Sequence, residues 1–310
     1  MRSKGVLCAL GAGICWGASL GVFARSLTAL GFSAMQITAV RTTISAVFFC
    51  VFALLKDPSA FRVRPRDLWI FLCSGIISIT AFCWCYFTAT KYCSLAVVGI
   101  LVYTAPVWVI LLSALVFRER VTKRKLAAMV MAVVGCVLVS GISGGVGGVS
   151  TIGLVTGLLA GLTFGTYTVF TRFAVSKYRT LTISLYSFLV ASISSLLMGG
   201  PAETIEKVCA PKALPYAVIG GLICAAVPYY LYTRAMEYLD NGMVSLLATV
   251  EPVIAALVSV LYYREAITGS TIAGIVLILA AVVTLALQGF RKKQGKIYRV
   301  RVIRHRKRRY

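Results

Sequence analysis

Two ionisable side chains stand alone inside long apolar runs: Arg41 within ITAVRTTISAV and Glu251 within LLATVEPVIAALV. Buried in a bilayer, such a charge costs about 2.5–3.5 kcal/mol on insertion scales and usually marks a solute path or a proton relay. Glu251 is followed by Pro252, whose missing N–H frees a carbonyl one turn earlier and weakens the helix there. A carboxyl beside a broken helix is placed to exchange a proton or to hold an amine. Each residue also has a structural reading. Arg41 would then form an ion pair or bond helix-end carbonyls, and Glu251 would stay a neutral, hydrogen-bonded acid.

Aromatic hydroxyls accompany the two charges. Tyr86, Tyr103, Tyr167, Tyr229, Tyr230 and Tyr232 fall in apolar stretches, several of them at mid-span, where a hydroxyl needs a partner or water. About half of them are expected to line a partly wet cavity, with Tyr229, Tyr230 or Thr249 donating to Glu251. Trp16-Gly17 and Phe164-Gly165 occupy matching places, where an aromatic ring can close such a cavity. They sit on ridges of small residues spaced by four: Gly5, Ala9, Gly13, Gly17, Gly21, and again Gly153, Gly157, Gly161, Gly165. That spacing lets a second backbone approach closely. It serves tight packing and equally a surface on which helices slide.

The elements that must position these groups are membrane helices. Of 310 residues, 59% are hydrophobic and 13% charged, whereas soluble proteins carry about 25% charged residues. Mean hydropathy is +0.90. The apolar stretches are continuous and lack the alternation of about ten residues that marks a barrel strand. Windows of the length needed to cross a bilayer fall near 5–24, 34–55, 68–90, 94–117, 125–141, 152–171, 180–200, 213–234, 242–263 and 268–289. The fold expected is all-α and integral to the membrane, with ten transmembrane helices. The first stretch lacks a small-x-small cleavage site and reads as an uncleaved helix.

The second half repeats the first at an offset of 146: Gly75 returns as Gly221, Tyr86 as Tyr232, Pro106 as Pro252, and Arg118-Glu119 as Arg264-Glu265. Five spans per repeat force the second to enter from the opposite side, so the repeats are expected to be inverted. The division is a first five-helix repeat at 1–142, a Gly-rich linker at 143–150, a second repeat at 151–290, and a basic tail at 291–310. With the N-terminus inside, inner segments hold 26 Lys or Arg and outer loops 5. The positive-inside rule then makes both termini cytoplasmic and the linker external.

Several other readings fail. The net charge of +23 owes much to the tail, which is expected to meet anionic lipid and not nucleic acid, since no aromatic platform accompanies it. The ten cysteines show no Cys-x-x-Cys pair and act as small hydrophobes, so no metal or other cofactor is expected. Gly141-Ile142-Ser143-Gly144-Gly145 has the form of a hydrolase elbow, but the lone histidine is His305 in the tail, leaving no base. The Arg-Glu pairs at 118–119 and 264–265 read as structural helix-end groups.

In order and repetition these residues resemble the drug/metabolite transporter superfamily and its EamA family. The segments are Trp16-Gly17, Arg41, Tyr103-Thr104-Ala105-Pro106 through Phe117-Arg118-Glu119, and Thr249-Val250-Glu251-Pro252 through Tyr263-Arg264-Glu265. The resemblance covers nearly all of 4–289. It implies an exporter in a bacterial inner membrane that carries small metabolites, such as amino acids or related amphipathic compounds, through a central cavity. No phosphate-cradling loop is present, which points to secondary transport, proton-coupled or by exchange. A lipid-modifying membrane enzyme or a passive scaffold are the alternatives. The first lacks a cluster of acids, bases or ligands; the second gives duplication no purpose. Substrate identity and oligomeric state have no signature in the chain.

Overall fold

The computed structural model describes residues 2–93, 95–139, 150–264 and 268–291. The expected linker at 143–150 falls almost wholly outside them, as do Glu265 and nearly all of the basic tail.

Every element among the described residues is helical. An apolar chain in lipid must satisfy its backbone within each segment, and a helix does so. Eight helices are long and apolar enough to cross a membrane: Arg2–Ala29, Ala34–Lys56, Pro65–Tyr92, Val97–Phe117, Thr151–Val175, Thr180–Gly199, Leu214–Ala235 and Asn241–Tyr262. The other two sequence-expected spans fall on shorter apolar helices, Lys123–Val139 and the Gly269–Leu285 part of the last helix. A further short helix, Pro201–Cys209, was not legible in the sequence.

Four of the crossings are interrupted, and the interruptions come in matched pairs. The third crossing runs as α3 (Leu68–Leu72), a π-helical stretch Cys73–Ala81, and α4 (Phe82–Tyr92). The crossing Leu214–Ala235 runs as α11 (Leu214–Gly221), a π-helical stretch Leu222–Ala226, and α12 (Val227–Ala235). Pro228 opens α12, and its missing N–H relaxes the turn before it. The crossing Val97–Phe117 divides into α5 (Leu95–Val102) and α6 (Ala105–Phe117), and Asn241–Tyr262 into α13 (Asn241–Ala248) and α14 (Glu251–Tyr263). Pro106 and Pro252 start the second piece of each, where a fixed φ suits the first helical turn. Thr104 and Thr249 turn their hydroxyls onto Leu101 O and Leu246 O, both at 2.6 Å. Each carbonyl also accepts the backbone N–H of the same threonine at 3.3 Å, so the hydroxyl adds a second bond at the break.

The remaining long helices are α1 (Arg2–Ala29), α2 (Ala34–Lys56), α7 (Lys123–Val139), α8 (Thr151–Val175), α9 (Thr180–Gly199) and α15 (Gly269–Arg291), with α10 being Pro201–Cys209. They pack with exchange symmetry between the halves. α1 lies on α12, α13 and α14, as α8 lies on α4, α5 and α6; α2 pairs with α9, and α7 with α15. Glycines set the contacts. A Cβ on Gly13 would come 2.5 Å from Ala248 O at the α13–α14 break, and one on Gly161 2.6 Å from Leu101 O at the α5–α6 break. A Cβ on Gly75 would come 2.6 Å from Val190, as one on Gly221 would from Ile44. Lipid gives helices no hydrophobic reason to associate, so close backbone approach and hydroxyl pairs do that work. Thr42–Ser195 at 2.9 Å and Thr43–Ser192 at 2.7 Å join α2 to α9, and Ser74–Ser187 at 2.7 Å adds the third crossing.

Arg118 and Arg264 share another feature, a left-handed backbone with φ of 53° and 55°. That conformation costs an L-residue about 1–2 kcal/mol. Arg118 ends α6 with its N–H bonded to Ser113 O, a helix stop at the place where the sequence assigns a structural pair.

Candidate functional site

Five of the sequence-selected aromatics meet where the halves face each other. The Trp16 ring on α1 lies 5.2 Å from Tyr229 and 5.6 Å from Tyr232 on α12, and 6.0 Å from Phe164 on α8. Tyr167 closes the group, edge-on to Tyr229 at 4.9 Å. The rings enclose a cavity of about 10 Å³, room for about one water. Gly165, Ala105 and Val109 complete its apolar wall, and Thr168 and Ser245 its polar one.

Two of the three tyrosine hydroxyls find side-chain partners, as mid-membrane burial demands. Tyr167 pairs with Thr233 at 2.9 Å, and Tyr232 with Thr168 at 2.7 Å. The chain's composition gave no sign of Thr168, Thr233 or Ser245, since small hydroxyl residues occur throughout these helices.

The other selected residues lie around this box and do not line it. Tyr86 packs on Phe82 at 6.0 Å, and Phe82 in turn on Phe164 at 5.0 Å. Tyr230 turns away to stack on Phe49 at 6.4 Å. Tyr103 packs against the main core, within electrostatic range of Glu251. Thr249 is buried with its hydroxyl spent on Leu246 O. The expected hydrogen bonds from Tyr229, Tyr230 or Thr249 to Glu251 are not formed; Thr249 serves the helix break instead.

Arg41 and Glu251 do not pair. Glu251, partly exposed at the start of α14, meets no hydrogen-bond donor or cation among the described residues. Arg41 is 8% exposed on α2, and its Nη2 donates to Cys83 Sγ at 3.0 Å. Around its guanidinium stand Cys83, Tyr229 and Cys224, with no carboxylate. Tyr86 and Tyr229 lie within electrostatic range of both charges. The thiol partner, 42 residues away, had no sequence signal.

One end of the bundle is laced shut by polar contacts between the halves. Lys125 on α7 is buried and bridges Asp240 and, at 3.8 Å, Glu119. Glu119 accepts from the Asn241 N–H at 3.2 Å, and Asn241 Nδ2 donates to Ser113 Oγ at 3.0 Å. Burial pushes the Glu119 carboxyl above its ordinary range, and neighbouring Asp240 adds to this. Lys177 and Tyr178 hold Asp67 at 2.5 and 2.7 Å, and Arg179 holds Asp57 at 2.5 Å. Bonds from Ser59 and Arg179 keep the Asp57 carboxyl below the usual range. All these groups lie in segments the charge bias puts on the inner side.

Apolar crossing helices, glycine contacts and interrupted helices around an aromatic centre define a multi-pass membrane protein. The pattern of the EamA-like transporter family matches residues 3–141 and again 151–287. The chain belongs to that family, within the drug/metabolite transporter superfamily. It is similar to an uncharacterized transporter of Archaeoglobus fulgidus, 25% identical over 86% of this chain and 93% of that protein. YvbV, an uncharacterized transporter of Bacillus subtilis, is 22% identical over 87% of each chain. A solved crystal structure 21% identical in sequence superposes with a TM-score of 0.77, covering 95% of this chain and 100% of the other; that likeness concerns the fold alone. Together the family and its relatives make this protein a membrane transporter.

Proposed function

We propose that this protein is a secondary transporter that exports small metabolites, amino acids or related amphipathic compounds, across a bacterial cytoplasmic membrane by alternating access. Two five-helix repeats, 1–142 and 151–290, cross in opposite senses, making ten crossings with both termini cytoplasmic. The 143–150 linker is external, and the 291–310 tail lies against anionic lipid. The observation that carries this reading is the exchange-symmetric packing about the ring box. α1 rests on the broken α13–α14 crossing through glycine, as α8 rests on the broken α5–α6 crossing. Two equivalent interfaces let one packing be realised twice, once open to each side.

In this scheme the box of Trp16, Tyr167, Tyr229 and Tyr232 surrounds the apolar part of the solute, and the water-sized cavity is the occluded state between turnovers. Glu251 exchanges a proton or meets a cationic amine. Purified protein in liposomes is tested for uptake of candidate metabolites with and without an imposed proton gradient. Gradient- or exchange-dependent flux supports the proposal; solute-independent leak or no flux across a broad metabolite set refutes it.

A further inference from the structure

Arg41 is a buried cation that no carboxylate compensates among the described residues. A guanidinium has five N–H donors and stays charged at any physiological pH. Here one of them meets a thiol sulfur at 3.0 Å, and the surroundings are cysteines and tyrosines. Neither structural role open to it in the sequence is realised: among the described residues no acid pairs with it, and no helix-end carbonyl accepts from it. Leaving a buried cation unpaired is expensive, and a fold that needed only packing here would place an apolar residue. The opposite charge, Glu251, is likewise unpartnered.

Tyr229 links this cation to the box. It lies within electrostatic range of Arg41, and its ring lines the cavity and packs edge-on against Trp16. A solute held among the rings would therefore have Arg41 on the α2 side. We propose that Arg41, steadied by Cys83, is the anion subsite of this protein and that it takes a single carboxylate of the bound solute. A guanidinium fork matches a carboxylate in two parallel bonds. A phosphate ester, with up to two negative charges, would meet only one cation here. The inference names the solute class for the transport site above and rests on that reading for its physiological sense, but binding alone tests it.

Purified full-length protein is titrated with two probe series, one on a phenyl and one on an isobutyl body. Each comprises the amino acid, its methyl ester, the amine without a carboxylate, and the phosphate monoester of the corresponding alcohol. The readout is thermal stabilisation, converted to apparent Kd. In at least one series the amino acid should bind about tenfold or more tighter than its ester, a loss typical of one charge-assisted bond pair. Arg41→Gln should erase that preference while leaving ester binding in place, Arg41→Lys should keep part of it, and Cys83→Ala should retain most of it. If Arg41→Gln does not fold, the decision falls to Arg41→Lys, where an undiminished acid-over-ester preference overturns the proposal. A wild type blind to the carboxylate in both series, tighter binding of the phosphate esters, or full selectivity in folded Arg41→Gln overturns it as well. Acid-selective binding in a protein that moves no solute in liposomes would keep the subsite and sink the transport reading. Flux without acid selectivity would do the reverse.

Discussion

Gly17 lies directly against the backbone of Glu251: any Cβ at position 17 would overlap the Glu251 carbonyl oxygen and press on Ile254. The counterpart in the other half, Gly165, is looser, with a Cβ reaching 3.2 Å from Ala105 O. The small-residue ridge therefore does different work in the two halves. On α1 it fixes the position of the acid-bearing helix start.

Gly17→Ala should thus destabilise the protein by about 1–3 kcal/mol, because backbone must move to admit the methyl group. Gly165→Ala should cost less than about 1 kcal/mol. Thermal unfolding in one detergent compares the two. Equal stability of both variants would show that α1 and α14 are free to separate. If the ridges are surfaces on which helices slide, bulk on either should impair transport, and the contact at Gly17 makes folding suffer there too.

The buried lysine Lys125 should matter more than a surface charge. Lys125 is buried between Asp240 and Glu119, and its removal leaves two carboxylates facing each other. Breaking a buried pair from one side costs about 3–5 kcal/mol. Lys125→Met should therefore destabilise strongly, and adding Asp240→Asn should recover much of the loss. Simple additivity of the two substitutions would mean that the pair does not act as a unit.

Glu119 should behave in the opposite sense. Burial, then Asp240, raises its folded pKa, so the folded state favours the protonated acid. Its favourable contribution is present below the unfolded carboxylate pKa and is lost as pH rises through the folded value. Glu119→Gln should flatten that part of the stability profile and leave the protein as stable as wild type, or more so, at neutral pH. Melting curves from about pH 4 to 8 test the sign; a variant that weakens most at high pH would show the ionised carboxylate to be stabilising.

Much of this was legible in the chain. Apolar windows fell on the helices, Pro252 foretold the break beside Glu251, the matched aromatic-glycine pairs singled out Trp16 and Phe164, and mid-span tyrosines singled out Tyr167 and Tyr229. What each helix faces was not legible. In lipid the outer surface is as apolar as the core, so Leu115 and Leu261 are 78% and 80% exposed while Leu247 is buried; apolar pattern cannot separate inside from outside there. The same blindness hid Cys83 beside Arg41, Thr168 and Ser245 in the cavity wall, and the pairing of Lys125 with Asp240. Each depends on a partner far along the chain, and none has a distinctive residue type.

Topology has a direct test. If the charge bias sets the orientation, putting 26 basic residues inside and 5 outside, a cysteine introduced at Gly147, in a background free of other accessible thiols, should react with an impermeant maleimide in intact cells. Reaction only after permeabilisation would reverse the orientation, and with it the assignment of the Lys125 cluster to the cytoplasmic side.

Glu251 carries the sharpest prediction about coupling. It is the single acid well inside an apolar span, it begins a helix freed by the Thr249–Val250 break, and no donor or cation neutralises it among the described residues. The groups nearest in its electrostatic surroundings are Tyr86, Tyr103, Cys136 and Tyr229, and Arg41 is held apart on Cys83. A carboxyl so placed can take a proton or an ammonium group without first breaking an internal bond. Glu251→Gln preserves shape and removes the exchangeable proton, so folding should be retained while pH-dependent flux is abolished or amine-bearing solutes bind about tenfold more weakly. Because Gly17 packs on the carbonyl of residue 251 and not on its side chain, the substitution leaves the helix contact intact. Wild-type flux with unchanged pH dependence in this variant would make Glu251 a structural acid and move the search for the coupling group elsewhere.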